Sequence, residues 1–258
     1  MTRAELKEFL DEKADFYEQN WFIESDPISI PHRFSKKEDI EIAGFLSATI
    51  AWGQRKTIIN NANKLMKLMD ESPHDFVMNA SGKELQPLES FVHRTFNGSD
   101  LLFFIEGLKK LYENHGGLEG TLGNPKIPTV KERISDFKRK FFEPEHLKRT
   151  QKHVSDPMKG SSAKRLNMFL RWMVRSPEKG VDFGIWENLS PKNLMLPLDV
   201  HTATQGRNFK LLKRKQNDWK AVEEITKSLQ KLDLTDPVKY DFALFGIGAH
   251  ENSILNNR

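Results

Sequence analysis

The segment from Glu38 to Trp52 places the strongest constraint on how this chain can fold. Its apolar residues recur around nearly the whole circumference of a helix: Ile40, Ile42, Ala43, Phe45, Leu46, Ala48 and Ile50. A helix that is apolar on almost every face has to be buried on all sides. The rest of the chain must therefore surround this segment, and most of the surrounding segments are themselves predicted to be helical.

Segments with a helical period follow one another, and none shows the sustained alternation of apolar and polar residues that is typical of strands. We predict helices over residues 3–20, 38–52, 57–69, 75–79, 101–114, 130–142, 163–174, 200–209, 219–232 and 237–245. Ser99-Asp100 is the predicted cap and Gly116-Gly117 the predicted stop of the fifth of these. Residues 28–33 read as a loop, and residues 118–130 as a linker or extended crossing. The predicted fold class is all-α.

Composition excludes several kinds of protein. The chain of 258 residues is 38% hydrophobic and 29% charged, with no apolar run near the roughly 20 residues that span a bilayer. Its start lacks the apolar core of a signal peptide, so we expect a cytoplasmic protein with no membrane partner. With no cysteine and eight scattered histidines, we expect no disulfide, no iron–sulfur cluster and no metal or other cofactor.

Basic charge is concentrated in two stretches of the chain. Residues 131–179 hold 14 Lys/Arg against 6 Asp/Glu, and residues 205–220 hold 6 basic side chains and one acid, in a chain whose net charge is +4. A basic stretch is more often only a solvated face. Here the two stretches bracket Lys164 and follow Asp199, where a polyanion would need to dock.

Lys164 and Asp199 are the residues that point to chemistry. Lys164 follows the glycine/serine turn Gly160-Ser161-Ser162-Ala163 and opens an apolar helix. Asp199 follows Leu196-Pro197-Leu198 and begins the next helix. An amine and a carboxylate at two helix starts can flank one cleft, with the amine as nucleophile at a sugar's anomeric carbon and the acid stabilising positive charge.

These motifs resemble the helix-hairpin-helix DNA glycosylases, the superfamily of endonuclease III and the 8-oxoguanine glycosylases. Gly160 matches the first hairpin glycine, Lys164 the catalytic lysine, Asp199 the catalytic aspartate and His201 the polar residue two positions later. The resemblance covers about residues 40–245, loosely, and its specificity lies in the two short motifs. It implies a two-lobed helical bundle of this type with a cleft between lobes of about 38–130 and 1–37 plus 131–258.

The chain departs from the family pattern at two points. Ser162 stands where the second hairpin glycine is expected, which weakens the expectation that the hairpin amides and an associated cation clamp a phosphate. The interval from Lys164 to Asp199 is longer than in endonuclease III-like members, and its extra segment, Ser176 to Asn193, resembles that of the archaeal 8-oxoguanine glycosylases. The resemblance therefore implies a cysteine-free bacterial branch similar to that group.

The implied activity is removal of an oxidised base, 8-oxoguanine favoured, from double-stranded DNA by a monomeric base-excision-repair glycosylase with AP lyase activity. Lys164 would attack the sugar C1′ and form a Schiff base, and Asp199 would stabilise the oxocarbenium-like sugar. The expected DNA contacts are Lys159, Gly160, Ser161, Ser162, Arg165, His201 and Arg207, with Gln54 and Arg55 inserted beside an extruded base. The base pocket would draw its wall from Trp52, Trp172, Trp186 or Phe209.

Each of these residues also has a plainer interpretation. Lys164 is otherwise an exposed lysine in a first helical turn, and Asp199 an N-cap, a role that can coexist with catalysis. The glycine/serine turn can be an ordinary connection between helices, Gly53-Gln54-Arg55 a surface turn, and the aromatic residues part of the core. At the level of function, the alternatives are a non-catalytic DNA-binding protein with this fold and a monofunctional glycosylase that uses water activated by Asp199. A helical scaffold for a protein partner is opposed by the clustered basic charge.

Overall fold

The computed structural model describes residues 1–251 and confirms a predominantly helical chain. Thirteen α-helices are formed within this range: α1 Arg3–Tyr17, α2 Asn20–Glu24, α3 Lys37–Thr49, α4 Arg55–Leu68, α5 Pro73–Asn79, α6 Gly82–Leu85, α7 Gly98–His115, α8 Gly117–Leu122, α9 Val130–Phe141, α10 Lys164–Val174, α11 Val200–Asn208, α12 Trp219–Gln230 and α13 Tyr240–Gly246. A π-helical turn, Ile247–Glu251, continues α13. Short 3-10 turns occupy several connections, including Pro27–Ser29 and Pro31–Arg33 in the predicted loop.

The chain divides into two compact units, one of residues 1–22 and 157–258 and one of residues 23–156. These boundaries differ from the sequence-based lobes of 38–130 and 1–37 plus 131–258. The 3-10 turns before α3 contact α3, and α9 contacts α7 and α8, so both segments belong with residues 38–130. Residues 252–258, the end of the second expected lobe, lie outside the described residues.

Helix α3 is buried as its sequence predicts, and it organises the core of the unit formed by residues 23–156. Phe45 stacks on Phe104 with ring centroids 5.9 Å apart and meets Phe137 and Phe141 edge-on. The one acid inside the buried part of α3, Glu41, accepts a hydrogen bond of 2.6 Å from the hydroxyl of Tyr112. A buried carboxylate with such a donor avoids the cost of an unsatisfied polar group.

The sequence-based prediction for residues 118–130 was wrong in its first half, where the chain forms α8. Gly116, at φ 71°, closes α7. Leu118 and Leu122 are completely buried, so this six-residue helix is held by its packing and not by intrinsic propensity. A Cβ on Gly120 would lie 2.2 Å from the carbonyl oxygen of His115, so only glycine allows α8 to approach the end of α7 this closely.

The described residues contain one sheet, a hairpin of β1 Val92–His93 and β2 Phe96–Asn97. Val92 pairs with Asn97 and His93 with Phe96 in antiparallel register. With strands of two residues, the hairpin is too short to show the period-two pattern from which strands are predicted. No helix in residues 1–251 is both long and apolar enough to cross a membrane.

The unit of residues 1–22 and 157–258 is built on helices from both ends of the chain. Helix α1 packs along α13, and α11 also contacts α13. A Cβ on Gly246 would meet the ring of Tyr17 at 2.3 Å, so a residue without a side chain is what allows α1 and α13 to approach. Helices α10 and α11, which carry Lys164 and Asp199, belong to this unit.

Candidate active site

The turn before Lys164 is an exposed hairpin with a defined backbone. Gly160 has a φ of +89°, which a residue with a side chain rarely adopts, and no atom lies within 4 Å of where its Cβ would be. Its carbonyl oxygen accepts a 3.0 Å hydrogen bond from the amide of Trp219, and Ser161 forms an antiparallel bridge with Asp218. Glycine is therefore required here by the backbone conformation of the turn and not by crowding. Hydrogen bonding to the start of α12, at Asp218 and Trp219, holds the hairpin in place.

Ala163, immediately before Lys164, is held in the left-handed conformation at φ 47° although it is not glycine. Its amide donates to the Ser161 hydroxyl at 3.2 Å, and the side-chain amide of Asn167 donates to the Ser162 carbonyl at 3.1 Å. A left-handed alanine costs of order 1–3 kcal/mol and persists only where surrounding contacts hold it. Here those contacts fix the direction in which α10 begins.

Lys164 is the first residue of α10 and is half-buried. Its ammonium nitrogen lies 3.7 Å from the sulfur of Met168, one turn along the helix. Lys164 forms no ion pair within residues 1–251, so its position is set by the helix and by packing.

Asp199 caps the N-terminus of α11, as its plainer interpretation predicts. Its Oδ1 accepts a 2.9 Å hydrogen bond from the amide of Thr202, and its backbone is extended at φ −112°. The residue is half-buried. Since a capping carboxylate uses only part of its acceptor capacity, the second oxygen is available for another role.

Asp241 is a functional candidate that the sequence analysis did not assign. It lies in α13 inside the apolar run Tyr240 to Phe245, and its side chain is 8% exposed. Its Oδ2 accepts a 2.6 Å bond from Nη1 of Arg171, which is seven residues after Lys164 and so on the same face of α10. An acid within an apolar helical run is the signal that could have identified it.

The charges of Lys164 and Asp199 both act on Asp241. Burial raises the pKa of the Asp241 carboxyl to about 6; the guanidinium of Arg171 and the ammonium of Lys164 oppose this, and the carboxylate of Asp199 adds to it. The two sequence-predicted catalytic groups therefore lie near the same buried carboxylate. Buried acids with a pKa shifted towards neutrality are concentrated at functional sites, because catalysis requires such values.

A buried network of ion pairs extends from Arg171 along α10. Arg171 contacts Asp182 at 3.3 Å, and Arg175, one turn later, binds Asp182 and Glu18 at 2.6 Å each and Asp236 at 2.9 Å. The network ties α10 to the end of α1 and to the segments around residues 182 and 236. Removing one partner of a buried pair leaves an uncompensated charge, so such a network resists displacement of its members.

The other expected DNA contacts in this unit are in different surroundings. Lys159 is exposed on the hairpin, and burial lowers the pKa of the Arg165 guanidinium to about 10. His201 is exposed, and its Nδ1 lies 3.1 Å from the carbonyl oxygen of Gly248. Arg207 uses Nε and Nη2 to bind the carbonyl oxygens of Arg214 and Lys215, so this guanidinium acts within the protein to hold the loop before α12.

Trp52, Gln54 and Arg55 belong to the other unit, that of residues 23–156. Trp52 is half-buried, and the guanidinium of Arg94, from the β1–β2 turn, lies 4.8 Å from its ring centroid. Gln54 is exposed and Arg55 begins α4, after a turn that requires Gly53 at φ +107°. The surface-turn interpretation describes this geometry, and insertion into DNA stays a prediction.

Among the remaining base-pocket candidates, Trp172 and Trp186 are interior residues. Trp172 is completely buried, and Trp186 packs edge-on against Phe169 at 5.5 Å. Phe209 is half-buried with its ring centroid 5.8 Å from that of Phe9. The core interpretation describes the two tryptophans, because neither presents a ring to solvent. Within residues 1–251, no cluster of three or more His, Asp or Glu side chains has the arrangement of a metal site.

Comparison with known proteins places the chain in a family without assigning an activity. A search of the curated proteins found no match, and a search of the solved structures found none. One family, described as protein of unknown function (DUF2400), matches residues 26–250. This match spans most of the chain, including Lys164, Asp199 and Asp241. The chain belongs to the DUF2400 family.

Proposed function

We propose that this protein is a DNA glycosylase that removes an oxidised base from duplex DNA through a Schiff base on Lys164. The observation that carries the proposal is that Lys164 and Asp199, at the starts of α10 and α11, both act on the buried carboxylate of Asp241. A nucleophilic amine, an acid for a cationic sugar and a second acid of raised pKa form the set that this reaction needs.

The reaction begins with loss of a proton from Lys164, because an ammonium group has no lone pair. Asp241 is suited to accept this proton, since a carboxylate with a pKa of about 6 is a stronger base than an ordinary one. The amine then forms a bond to C1′ as the bond to the base breaks, and the base leaves with the electron pair and takes up the proton held by Asp241. Opening of the sugar ring gives the Schiff base, and Asp199 stabilises the positive charge that develops before it.

The decisive experiment is borohydride trapping on duplexes that carry single lesions, with 8-oxoguanine as the preferred substrate. The wild-type protein is expected to become covalently attached to lesion DNA, and Lys164→Gln to lose this attachment completely. Lys231→Gln, at an exposed lysine of the same unit, serves as the matched control and is expected to trap like the wild type. Absence of trapping on every lesion of the panel contradicts the proposal.

Two substitutions of Asp199 separate its capping role from its catalytic role. Asparagine is as good an N-cap as aspartate, so Asp199→Asn is expected to keep the stability of α11 while it lowers base release at least about 100-fold. Asp199→Ala removes the cap as well and is expected to cost about 1 kcal/mol of unfolding free energy. Equal base release by Asp199→Asn and the wild type would leave Asp199 only a capping role.

A non-catalytic DNA-binding protein is the second candidate, and one specific observation favours it. Ser162 stands where the second hairpin glycine of the resembled family is expected, and this departure is the feature most favourable to a protein that binds DNA without catalysis. Such a protein binds duplex DNA in a salt-dependent manner, releases no base, and binds equally well as Lys164→Gln. Base release without trapping would instead indicate a monofunctional enzyme that uses water activated by Asp199.

A further inference from the structure

Residues 210–220, which lead from the end of α11 into the first turn of α12, carry a group of exposed lysines with no acidic partner. They are Lys210, Lys213, Lys215 and Lys220. Within residues 1–251 none of these side chains forms an ion pair. Three of them line a shallow depression of about 500 Å³ together with Arg214, Gln216 and Glu224. Four of the six basic side chains of residues 205–220 are therefore exposed on one short segment.

This basic loop is held in place by hydrogen bonds from charged side chains of the two neighbouring helices, Arg207 of α11 and Glu224 of α12. Arg207 donates to the carbonyl oxygens of Arg214 and Lys215 and to the side chain of Asn217, at 2.6–3.0 Å. Glu224 accepts hydrogen bonds from the backbone amides of Lys213 and Arg214, at 2.7 and 3.3 Å. These contacts fix the backbone, so much of the entropy cost of presenting the lysines is met in folding.

The acids near the loop do not neutralise its lysines. Asp218 binds Nε of Arg214 at 2.7 Å and also accepts from the amide of Ala221, at the N-terminus of α12. The Arg214 guanidinium lowers the pKa of the Asp218 carboxyl to about 2. Asp218 and Glu224 are thus both committed to internal hydrogen bonds, and within residues 1–251 neither forms an ion pair with the four lysines.

The basic loop is continuous with the hairpin that precedes Lys164. Asp218 forms the antiparallel bridge with Ser161, and the amide of Trp219 donates to the carbonyl oxygen of Gly160 at 3.0 Å. The hairpin adds the exposed Lys159 and an open backbone at Gly160. Backbone amides and lysines side by side are the groups with which proteins hold successive phosphates of a DNA strand.

We propose that the basic loop and the hairpin form one continuous surface for the DNA backbone, in which the loop binds phosphates beyond the one at the hairpin. The ligand is duplex DNA, so this inference rests on the proposed function. Within residues 210–220 the charge is not accompanied by exposed apolar residues, because Leu211, Leu212 and Trp219 are buried; beside the hairpin, Met158 is exposed. A membrane-binding or protein-binding surface would combine charge with apolar or aromatic anchors.

The test measures affinity for a lesion-containing duplex by fluorescence anisotropy at several salt concentrations. It compares the wild type with a triple variant, Lys213→Gln, Lys215→Gln and Lys220→Gln. Loss of three phosphate contacts is expected to lower the slope of log K against log salt by about 3 and to weaken binding about tenfold or more at 0.1 M salt. The control removes the same charge from exposed lysines outside the surface: Lys126→Gln, Lys192→Gln and Lys231→Gln.

Each outcome of this test has a defined meaning. An unchanged slope in the loop variant, with DNA binding by the wild type, overturns the surface and leaves the glycosylase proposal standing. An equal effect of the control variant also overturns it, because net charge alone would then explain the change. Failure of the wild type to bind or trap on any duplex overturns both proposals, as does loop-dependent binding to anionic vesicles without DNA binding. Thermal unfolding of the two triple variants verifies that both are folded.

Discussion

Asp241 shows how much one residue's surroundings decide its chemistry. In the sequence it is one acid among 36 acidic residues, and it is separated from Lys164 and Asp199 by 77 and 42 positions. In the folded chain it is buried, bonded to Arg171 and within the electrostatic influence of both predicted catalytic groups. Burial gives this carboxyl a pKa near neutrality, where a small change of pH changes its charge.

The raised pKa of Asp241 predicts how stability depends on pH. Between pH 4 and 6 the folded state keeps the Asp241 proton, whereas the unfolded state, with a pKa of 3.8, has lost it. The free energy of unfolding of the wild type should therefore fall as pH rises through this window, by up to about 3 kcal/mol from this group. In Asp241→Asn this contribution is absent, so its melting temperature should decline less between pH 4 and 6.

Asp218→Asn provides a contrasting control for this measurement. The folded-state pKa of Asp218 is lowered to about 2, so its contribution to stability is present above pH 4 and is lost as pH falls towards 2. The variant should thus be less stable than the wild type by a constant amount between pH 4 and 6, where the two profiles run parallel, and the difference should shrink as pH falls towards 2. Identical pH profiles of Asp241→Asn and the wild type across pH 4–6 would show that Asp241 does not retain its proton.

At the level of elements, the start of α7 is held by a buried carboxylate that also binds residues distant in the sequence. The N-cap is Asn97, two residues before Ser99 of the predicted cap Ser99-Asp100. Asp100 completes a capping box with Asn97. Asp100 is fully buried and also accepts from Thr150 at 2.7 Å and from Arg149 at 2.8 Å. Burial raises its pKa, but these hydrogen bonds and the nearby positive charges outweigh burial and lower it overall.

Asp100→Ala should destabilise the unit of residues 23–156 by about 3 kcal/mol or more. The substitution removes a cap and leaves the partners of a buried carboxylate without an acceptor. Urea unfolding measures the change in the free energy of unfolding. Glu113→Ala, on the same helix, removes only an exposed pair with Lys110 and should leave the free energy of unfolding close to the wild-type value. Similar losses of unfolding free energy in the two variants would mean that the hydrogen bonds of Asp100 stabilise the protein no more than an exposed ion pair does.

At the level of the whole molecule, the two ends of the described chain form one unit. Residues 1–22 belong with residues 157–258, and α1 packs against α13 at Tyr17 and Gly246. Beyond this contact, Glu251 in the π-helical turn accepts from the hydroxyl of Tyr17 at 3.0 Å and from Lys13 at 2.7 Å. The N-terminal helix is therefore a structural part of the unit that holds the candidate site.

Gly246→Ala should lower stability by about 1–3 kcal/mol, because its Cβ would overlap the ring of Tyr17 and separate α1 from α13. Thermal unfolding followed by circular dichroism measures the loss. Gly82→Ala is the matched control, since no atom lies within 4 Å of the added carbon, and it should change stability by less than about 1 kcal/mol. An unaltered melting temperature for Gly246→Ala would indicate that the Tyr17 ring moves aside without cost.

The sequence alone determined the local properties of this protein. The period of the apolar residues predicted most helices, including α3, which is buried from Ile40 to Thr49. The turn before Lys164 and the cap at Asp199 were visible from residue types. These features depend on neighbours within a few positions, which a sequence displays directly. Helix α8 was missed because its formation depends on the burial of Leu118 and Leu122. The β1–β2 hairpin was missed because its strands are two residues long.

Only the tertiary structure decided which distant residues lie near one another. It brought Asp241 and Arg171 to Lys164 and Asp199, turned Arg207 inward to hold a loop, and joined that loop to the hairpin through Asp218 and Ser161. It also placed Trp172 and Trp186 in the interior. The pKa of a carboxyl and the direction of a guanidinium depend on burial and on charges contributed by separate elements. Those quantities are fixed when the elements pack, and no spacing along the chain specifies them.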